Sequence, residues 1–131
     1  MAGASRGIGL AIAEELMAAG AHVVRLGRSL ADQTAERRTD IRCDVTVAGE
    51  VASAAERVGA ARGAVDILVH SAGTFVLGDL AGTSPADFAE QVASNLVAPF
   101  LVRRTSPRST GYAGCTAPCS RTSRARACAP R

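Results

Sequence analysis

The sequence predicts an α/β fold, a parallel sheet of strand–helix–strand units wound with helices on both faces. Three observations predict it. Short β-branched runs alternate with amphipathic helical stripes, a glycine-rich stretch leads directly into the first helix, and capping residues separate the segments. The 131 residues suit one domain. With 47% hydrophobic and 21% charged residues, the composition is that of a folded globular chain. No apolar run is long enough to span a bilayer. The opening Met1-Ala2-Gly3-Ala4-Ser5-Arg6 lacks the apolar centre of a signal peptide, so a cytoplasmic chain is expected.

The elements follow in order. Ile8, Ile12, Leu16 and Ala19 fall on one helical face, and Gly20 stands where a helix-ending glycine belongs. His22 to Leu26 reads as a strand, and Ile41-Arg42-Cys43 as a weaker one. Between them, Ser29 to Glu36 leaves room for at most two turns of helix. Val47, Val51, Ala54, Val58 and Ala61 form the most regular helical stripe, closed by Gly63. Val65 to His70 is a second good strand. Ser84 then caps a helix with Pro85 in its first position and Asp87 complementing its dipole. Phe88, Val92, Leu96 and Phe100 would form the buried face of that helix, kinked at Pro99.

Composition breaks near Val102. All 15 basic residues are arginine, for a net charge of +3. The first 102 residues carry eight arginines and all 12 acids; the other 29 carry seven arginines and no acid. From Arg103 onward there is no Ile, Leu, Val, Met or Phe. Such a segment buries too little apolar surface to offset the entropy of ordering it. Residues 1–102 are therefore expected to form the folded domain and 103–131 a disordered basic tail. The tail charge suits only non-specific contact with a polyanion, since it has no helical face and Tyr112 is its lone aromatic. Its Cys115, Cys119 and Cys128 fit no zinc spacing, so no metal is expected.

Gly3-Ala4-Ser5-Arg6-Gly7-Ile8-Gly9 carries the chemistry. Glycines there let a backbone turn approach a pyrophosphate, which the helix N-terminus stabilises with free N–H groups and its dipole. Alone the G-x-x-x-G-x-G spacing is equally a structural turn. Gly27-Arg28, at the end of the next strand, stands where such folds recognise the adenosine ribose. Arg28 and Arg6 replace the acid that would bind an NAD ribose, and two guanidiniums favour the 2′-phosphate of NADP, with NAD possible. The alternative is a pair of solvated surface arginines.

Four segments in series, Gly3 to Gly9, Cys43-Asp44-Val45, Val69-His70-Ser71-Ala72-Gly73 and Asn95-Leu96-Val97-Ala98-Pro99-Phe100, resemble the short-chain dehydrogenases/reductases. The resemblance covers residues 1 to about 102 and implies an NADP- or NAD-dependent oxidoreductase with a Rossmann-like sheet. It implies that Gly3, Ser5, Arg6, Gly7, Ile8 and Gly9 hold the pyrophosphate region, that Asp44 meets the adenine amino group with Val45 beside the ring, and that Ser71, Ala72 and Gly73 line the cofactor. His70 and Ser71 replace two asparagines of the family. Asn95 matches the helix asparagine that holds a water in the family's catalytic proton relay. The resemblance further implies a small carbonyl or alcohol substrate and homo-oligomers assembled through the helix at 85–102.

Two departures stand against activity. Only Met1 and Ala2 precede Gly3, so the first strand is expected to be missing and its neighbours left unpaired. The family's catalytic tyrosine needs a lysine four residues on, whose charge lowers its pKa. This chain has no lysine, and Tyr112 is followed at that offset by Thr116. Ser120 and Ser123 lack the preceding strand of a catalytic serine. The reading is a truncated or frameshifted, inactive copy, with the frame lost between about Val102 and Pro107 and a start codon assigned too late. The alternative is a non-catalytic nucleotide-binding or interaction protein with a basic tail.

Overall fold

The computed structural model describes residues 1–107. Its elements are α1 (Gly7–Ala18), β1 (Val23–Gly27), β2 (Gln33–Ala35), β3 (Arg38–Arg42), α2 (Ala48–Arg62), α3 (Pro85–Val92), a π-helical turn (Ala93–Val97) and α4 (Ala98–Thr105). The sheet order is β1-β3-β2, with β1 and β3 parallel from Val23↔Arg38 to Gly27↔Arg42. β2 is antiparallel to β3, so within Ser29–Glu36 the residues Gln33–Ala35 form the outer arm of a hairpin rather than a short helix. Gln33, Thr34 and Ala35 are all exposed and bury no helical face. Backbone pairing, and the bond from Gln33 Nε2 to Asp40 Oδ2 at 2.7 Å, favour the strand.

The missing first strand is present as a stub. Leu26 N–H donates to the Met1 carbonyl at 2.8 Å, and Gly3 N–H to the Leu26 carbonyl at 3.1 Å. On the other side, Ala2 N–H donates to the Val69 carbonyl at 3.0 Å, and Ser71 N–H to the Ala2 carbonyl at 2.9 Å. Ala2 thus makes parallel bridges to both Leu26 and His70 and is fully buried. Neither neighbour is left wholly unpaired. The predicted strand at Val65–His70 forms this single bridge among the described residues. Ile67 and Leu68 are exposed in consequence.

Packing selects small residues where elements meet. On α1 the buried positions are Gly9 and Ala13, with Leu16 and Met17 partly covered, whereas Ile8 is 77% exposed. The predicted face is therefore turned: Gly9 lies against the Gly3 carbonyl, and any side chain there would collide with it. The α2 stripe packs as expected, with Val51, Ala54 and Val58 buried, and Val47 reduced to an exposed N-cap. Gly20 and Gly63 both end helices at positive φ.

Ser84 caps α3 by accepting from Asp87 N–H at 3.1 Å, with Pro85 inside the first turn. Beyond it the buried side is Ser94, Ala98 and Val102, and the large Phe88, Leu96 and Phe100 face outward. The predicted stripe lies on the opposite side because α4 approaches α2 closely, which small side chains permit. The kink expected at Pro99 is the π-turn: Pro99 has no N–H for the residue 95 carbonyl, and Ala98 N–H bonds Ala93 instead. α4 continues through Arg103 to Thr105, beyond the compositional boundary, and Val65 N–H donates to the Pro107 carbonyl at 2.9 Å. The remainder of the tail lies outside the described residues.

Ile41, Cys43, Val45, Val51, Ala54, Val58, Ala98 and Val102 form the main core with Ala2 and Leu26. Beside it, Arg25 and Asp40 are buried as a bidentate pair, Nε–Oδ1 at 2.6 Å and Nη2–Oδ2 at 2.7 Å. Arg38 adds a second ion pair at 3.4 Å. These partners hold the Asp40 carboxyl below its ordinary 3.8, the bond to Arg25 contributing most.

Two outcomes follow for stability. Ile41→Ala removes a buried side chain from the centre of the core and is expected to cost about 3 kcal/mol, measured by urea unfolding. Because Asp40 has a lower pKa folded than unfolded, its contribution is full above the ordinary carboxylate value and is lost as pH falls through the folded one. The melting temperature of the wild type should therefore fall in that acid window by more than that of Asp40→Asn.

Candidate functional site

The glycine loop, the ends of β1 and β3, and the segment after Val69 converge on one open cleft of about 590 Å³. Each wall has a local cause. Gly3 turns at φ +77 and passes so near the Ala72 backbone that a side chain would overlap it. Gly9 lets the first turn of α1 lie on the loop. Arg6 occupies the α1 N-cap and makes no side-chain cap bond, so the helix N-terminus opens toward the cleft without an internal acceptor. At Gly7, φ is +57 and a Cβ would meet nothing within 4 Å, which leaves that side of the turn free.

All twelve residues assigned to cofactor binding line this cleft: Gly3, Ser5, Arg6, Gly7, Ile8, Gly9, Arg28, Asp44, Val45, Ser71, Ala72 and Gly73. Ile8 accounts for its exposure here, as part of the wall rather than the core. Arg6 and Arg28 are both solvent-exposed on the rim. Asp44 Oδ1 accepts from Thr46 N–H at 2.9 Å and Thr46 Oγ1 at 2.7 Å. These bonds hold its carboxyl below the usual range, with Arg28 adding to the effect, so it is a fixed anion at neutral pH. Its own N–H donates to Glu50 Oε2 at 2.7 Å, tying the turn to α2.

Asn95 is exposed and is not among the residues that line the cleft. Its Nδ2 donates to the Thr74 carbonyl at 2.7 Å, and its Oδ1 occupies the space a side chain on Gly73 would need. The π-turn carries it, so the irregular helix and the segment after Gly73 are locked together. Thr74 Oγ1 and Ser94 Oγ share a further bond of 2.7 Å.

Sequence reasoning did not single out Ser29, Thr46, Thr74, Glu90, Ala93 and Ser94 as lining residues. Thr46 and Thr74 follow their motifs directly and could have been found by extending them. Glu90 and Ser94 lie off the stripe expected to be buried, and Ser94 is buried where that stripe is exposed. Cys43 lines the floor, but burial, with Glu50 and Asp44 nearby, pushes its thiol up to about 11, so it is an unreactive thiol. Burial lowers the pKa of His70, and neither of its ring nitrogens has a hydrogen-bond partner among the described residues. No cluster of metal-binding side chains occurs among the described residues. No helix among them is long and apolar enough to cross a membrane. Tyr112 and the tail cysteines lie outside the described residues.

Comparison with known proteins agrees with this geometry. The family described as enoyl-(acyl carrier protein) reductase matches residues 3–116. D-threitol dehydrogenase of Mycolicibacterium smegmatis is 37% identical over 109 residues, covering 76% of this chain and 42% of that protein. The 2-dehydro-3-deoxy-D-gluconate 5-dehydrogenase of Formosa agariphila is 33% identical over 112 residues, covering 78% and 42%. A short-chain dehydrogenase/reductase from Serratia marcescens superposes with a TM-score of 0.73 at 31% identity, over 80% of this chain and 48% of that one. The chain thus spans less than half the length of these relatives. With a matching family profile over most of its length, the motifs in series and the shared architecture, the chain belongs to the short-chain dehydrogenase/reductase family of oxidoreductases.

Proposed function

We propose that the cleft binds a nicotinamide dinucleotide, NADP in preference to NAD, as the cofactor-binding portion of an oxidoreductase acting on a small carbonyl or alcohol. The observation that carries this reading is the uncapped N-terminus of α1 behind a glycine turn whose outer side is open. That arrangement suits a pyrophosphate, which needs free N–H donors and a positive dipole end. Arg28, following the last β1 residue, and Arg6, in the loop, offer bidentate donors to a ribose 2′-phosphate. Asp44 is the acceptor for an adenine amino group, with Val45 as the apolar surface beside the ring. Ser71, Ala72 and Gly73 continue the wall toward the far end of the cofactor. When bound, the nicotinamide would supply or accept the hydride.

Asn95 is the proposed water-holding member of the proton relay. Its amide N–H is engaged by the Thr74 carbonyl, which leaves Oδ1 to orient a donor. The acid/base pair of the reaction is not encoded in this chain, which has no lysine and no Tyr-x-x-x-Lys. The chain alone is therefore proposed to bind cofactor without turning substrate over, as a truncated or frameshifted copy would. The homo-oligomer expected for the family remains part of this proposal for the whole protein.

Thermal unfolding with added NADPH tests the binding. At about 100 times its Kd, the cofactor should stabilise the fold by about 2.7 kcal/mol; no shift with NADPH or NADH would overturn the reading. Arg28→Ala should weaken NADPH by about tenfold and leave NADH unchanged, measured by titration calorimetry. In the same preparation, NADPH absorbance should stay constant in the presence of a carbonyl panel. Sustained oxidation would disprove the assigned inactivity.

A further inference from the structure

Arg25 has a buried guanidinium in the middle of a strand, outside the cleft lining, and no role in the site described so far. Its three nitrogens are divided between two partners. Nε and Nη2 grip Asp40 on β3 at 2.6 and 2.7 Å, and Nη1 reaches the Ala4 carbonyl at 3.4 Å. Ala4 is fully buried and is the second residue of the glycine loop. Asp40 is held in turn by Gln33 Nε2 and Arg38 Nε from the hairpin. One connected set of polar contacts, with the Asp40–Arg25 pair at its centre, therefore runs from β2 through β3 and β1 to the back of the loop.

We infer that Arg25 is a positioning residue of the cofactor loop: anchored by Asp40, it fixes the Ala4 carbonyl from behind and so sets where the loop N–H groups point. A peptide unit is planar, so holding the Ala4 carbonyl also fixes the plane of the Ser5 N–H. Ser5 lines the cleft. The planar fork of arginine is required for this, because it can grip a carboxylate with two nitrogens and still direct the third elsewhere. A lysine has a single nitrogen in that place and keeps the charge opposite Asp40 while giving up the fixed direction toward Ala4. The inference rests on the cleft being a dinucleotide site, and it predicts an effect common to both cofactors, since the loop meets the pyrophosphate they share.

The test uses the full chain with Arg25→Lys, compared with Arg28→Ala, in two measurements. In amide hydrogen exchange without cofactor, Arg25→Lys should speed exchange in the peptide covering Gly3–Leu10 and leave that covering Ala48–Arg62 unchanged. In calorimetric titration it should weaken NADPH and NADH alike, each by about tenfold, whereas Arg28→Ala affects NADPH alone. Asp40→Asn, which keeps the shape and loosens the grip, should reproduce the exchange pattern. Faster exchange throughout the chain would reduce Arg25 to a structural residue and overturn the inference. So would unchanged affinity for both nucleotides. If the wild type binds neither nucleotide, the cleft reading itself fails, and the inference with it; a wild type that binds while Arg25→Lys binds equally well defeats the inference alone.

Discussion

The fold depends on five backbone hydrogen bonds made by three residues. Met1, Ala2 and Gly3 lie between the end of β1 and the Val69–Ser71 segment and bond to both. Side chains contribute little there, since Ala2 brings one methyl group. What matters is that the three nitrogens and the Met1 and Ala2 carbonyls find partners in this enclosed place, because an unpaired one would cost a full desolvation penalty. The stub joins the α1–α2 half of the molecule to the α3–α4 half, and it delivers Gly3 to its contact with Ala72. Both walls of the cleft are positioned by this one join.

From that join, the electrostatics of the two faces separate. The cleft side has an uncapped helix end and exposed arginines on the rim, and Asp44 is held by Thr46. The far side of the loop holds the opposite arrangement, a guanidinium already satisfied by Asp40. Burying that pair costs desolvation on both ions, and bidentate geometry, a further hydrogen bond from Gln33 and the nearby charge of Arg38 offset it. A hydrophobic pair of similar volume would satisfy the packing. The retained ions therefore need a reason beyond packing, and direction is what a guanidinium supplies and a methyl group does not.

How much of this was legible in the sequence varies with the physics of each element. Helix α2 was readable because its Val51, Ala54 and Val58 stripe meets the core directly. Ser84, Gly20 and Gly63 were readable because caps and helix-ending glycines act locally. The first three motifs, with Arg28 at the end of β1, supplied every assigned residue that lines the cleft, since chain order and the fold's crossovers bring those segments to one sheet edge. The faces of α1 and α4 were misread for a shared reason. Close approach of backbone selects Gly9, Ser94 and Ala98, and a hydrophobicity pattern gives such residues little weight beside Ile8, Phe88 and Phe100. β2 was missed because three exposed residues bear no pattern; its existence is a matter of pairing with β3. The strand at 65–70 has the composition of a strand, yet pairing requires a neighbour of equal length.

The exposed large apolar residues are concentrated in the second half of the described residues. Ile67, Phe75, Leu77, Leu80, Phe88, Leu96 and Phe100 are among them, and Ile8 and Val47 are the exceptions in the first half. Leu26, Ile41, Cys43 and Val45 are buried in the main core with Val51, Ala54 and Val58 of α2. The consequence for the cleft is directional. Residues proposed to hold adenosine and pyrophosphate adjoin the packed core of Leu26, Cys43 and Val45. Those toward the other end are backed by the polar contacts of Asn95, Thr74 and Ser94. Affinity is therefore expected to reside in the nucleotide half of the cofactor, because preorganised groups lose the least entropy on binding.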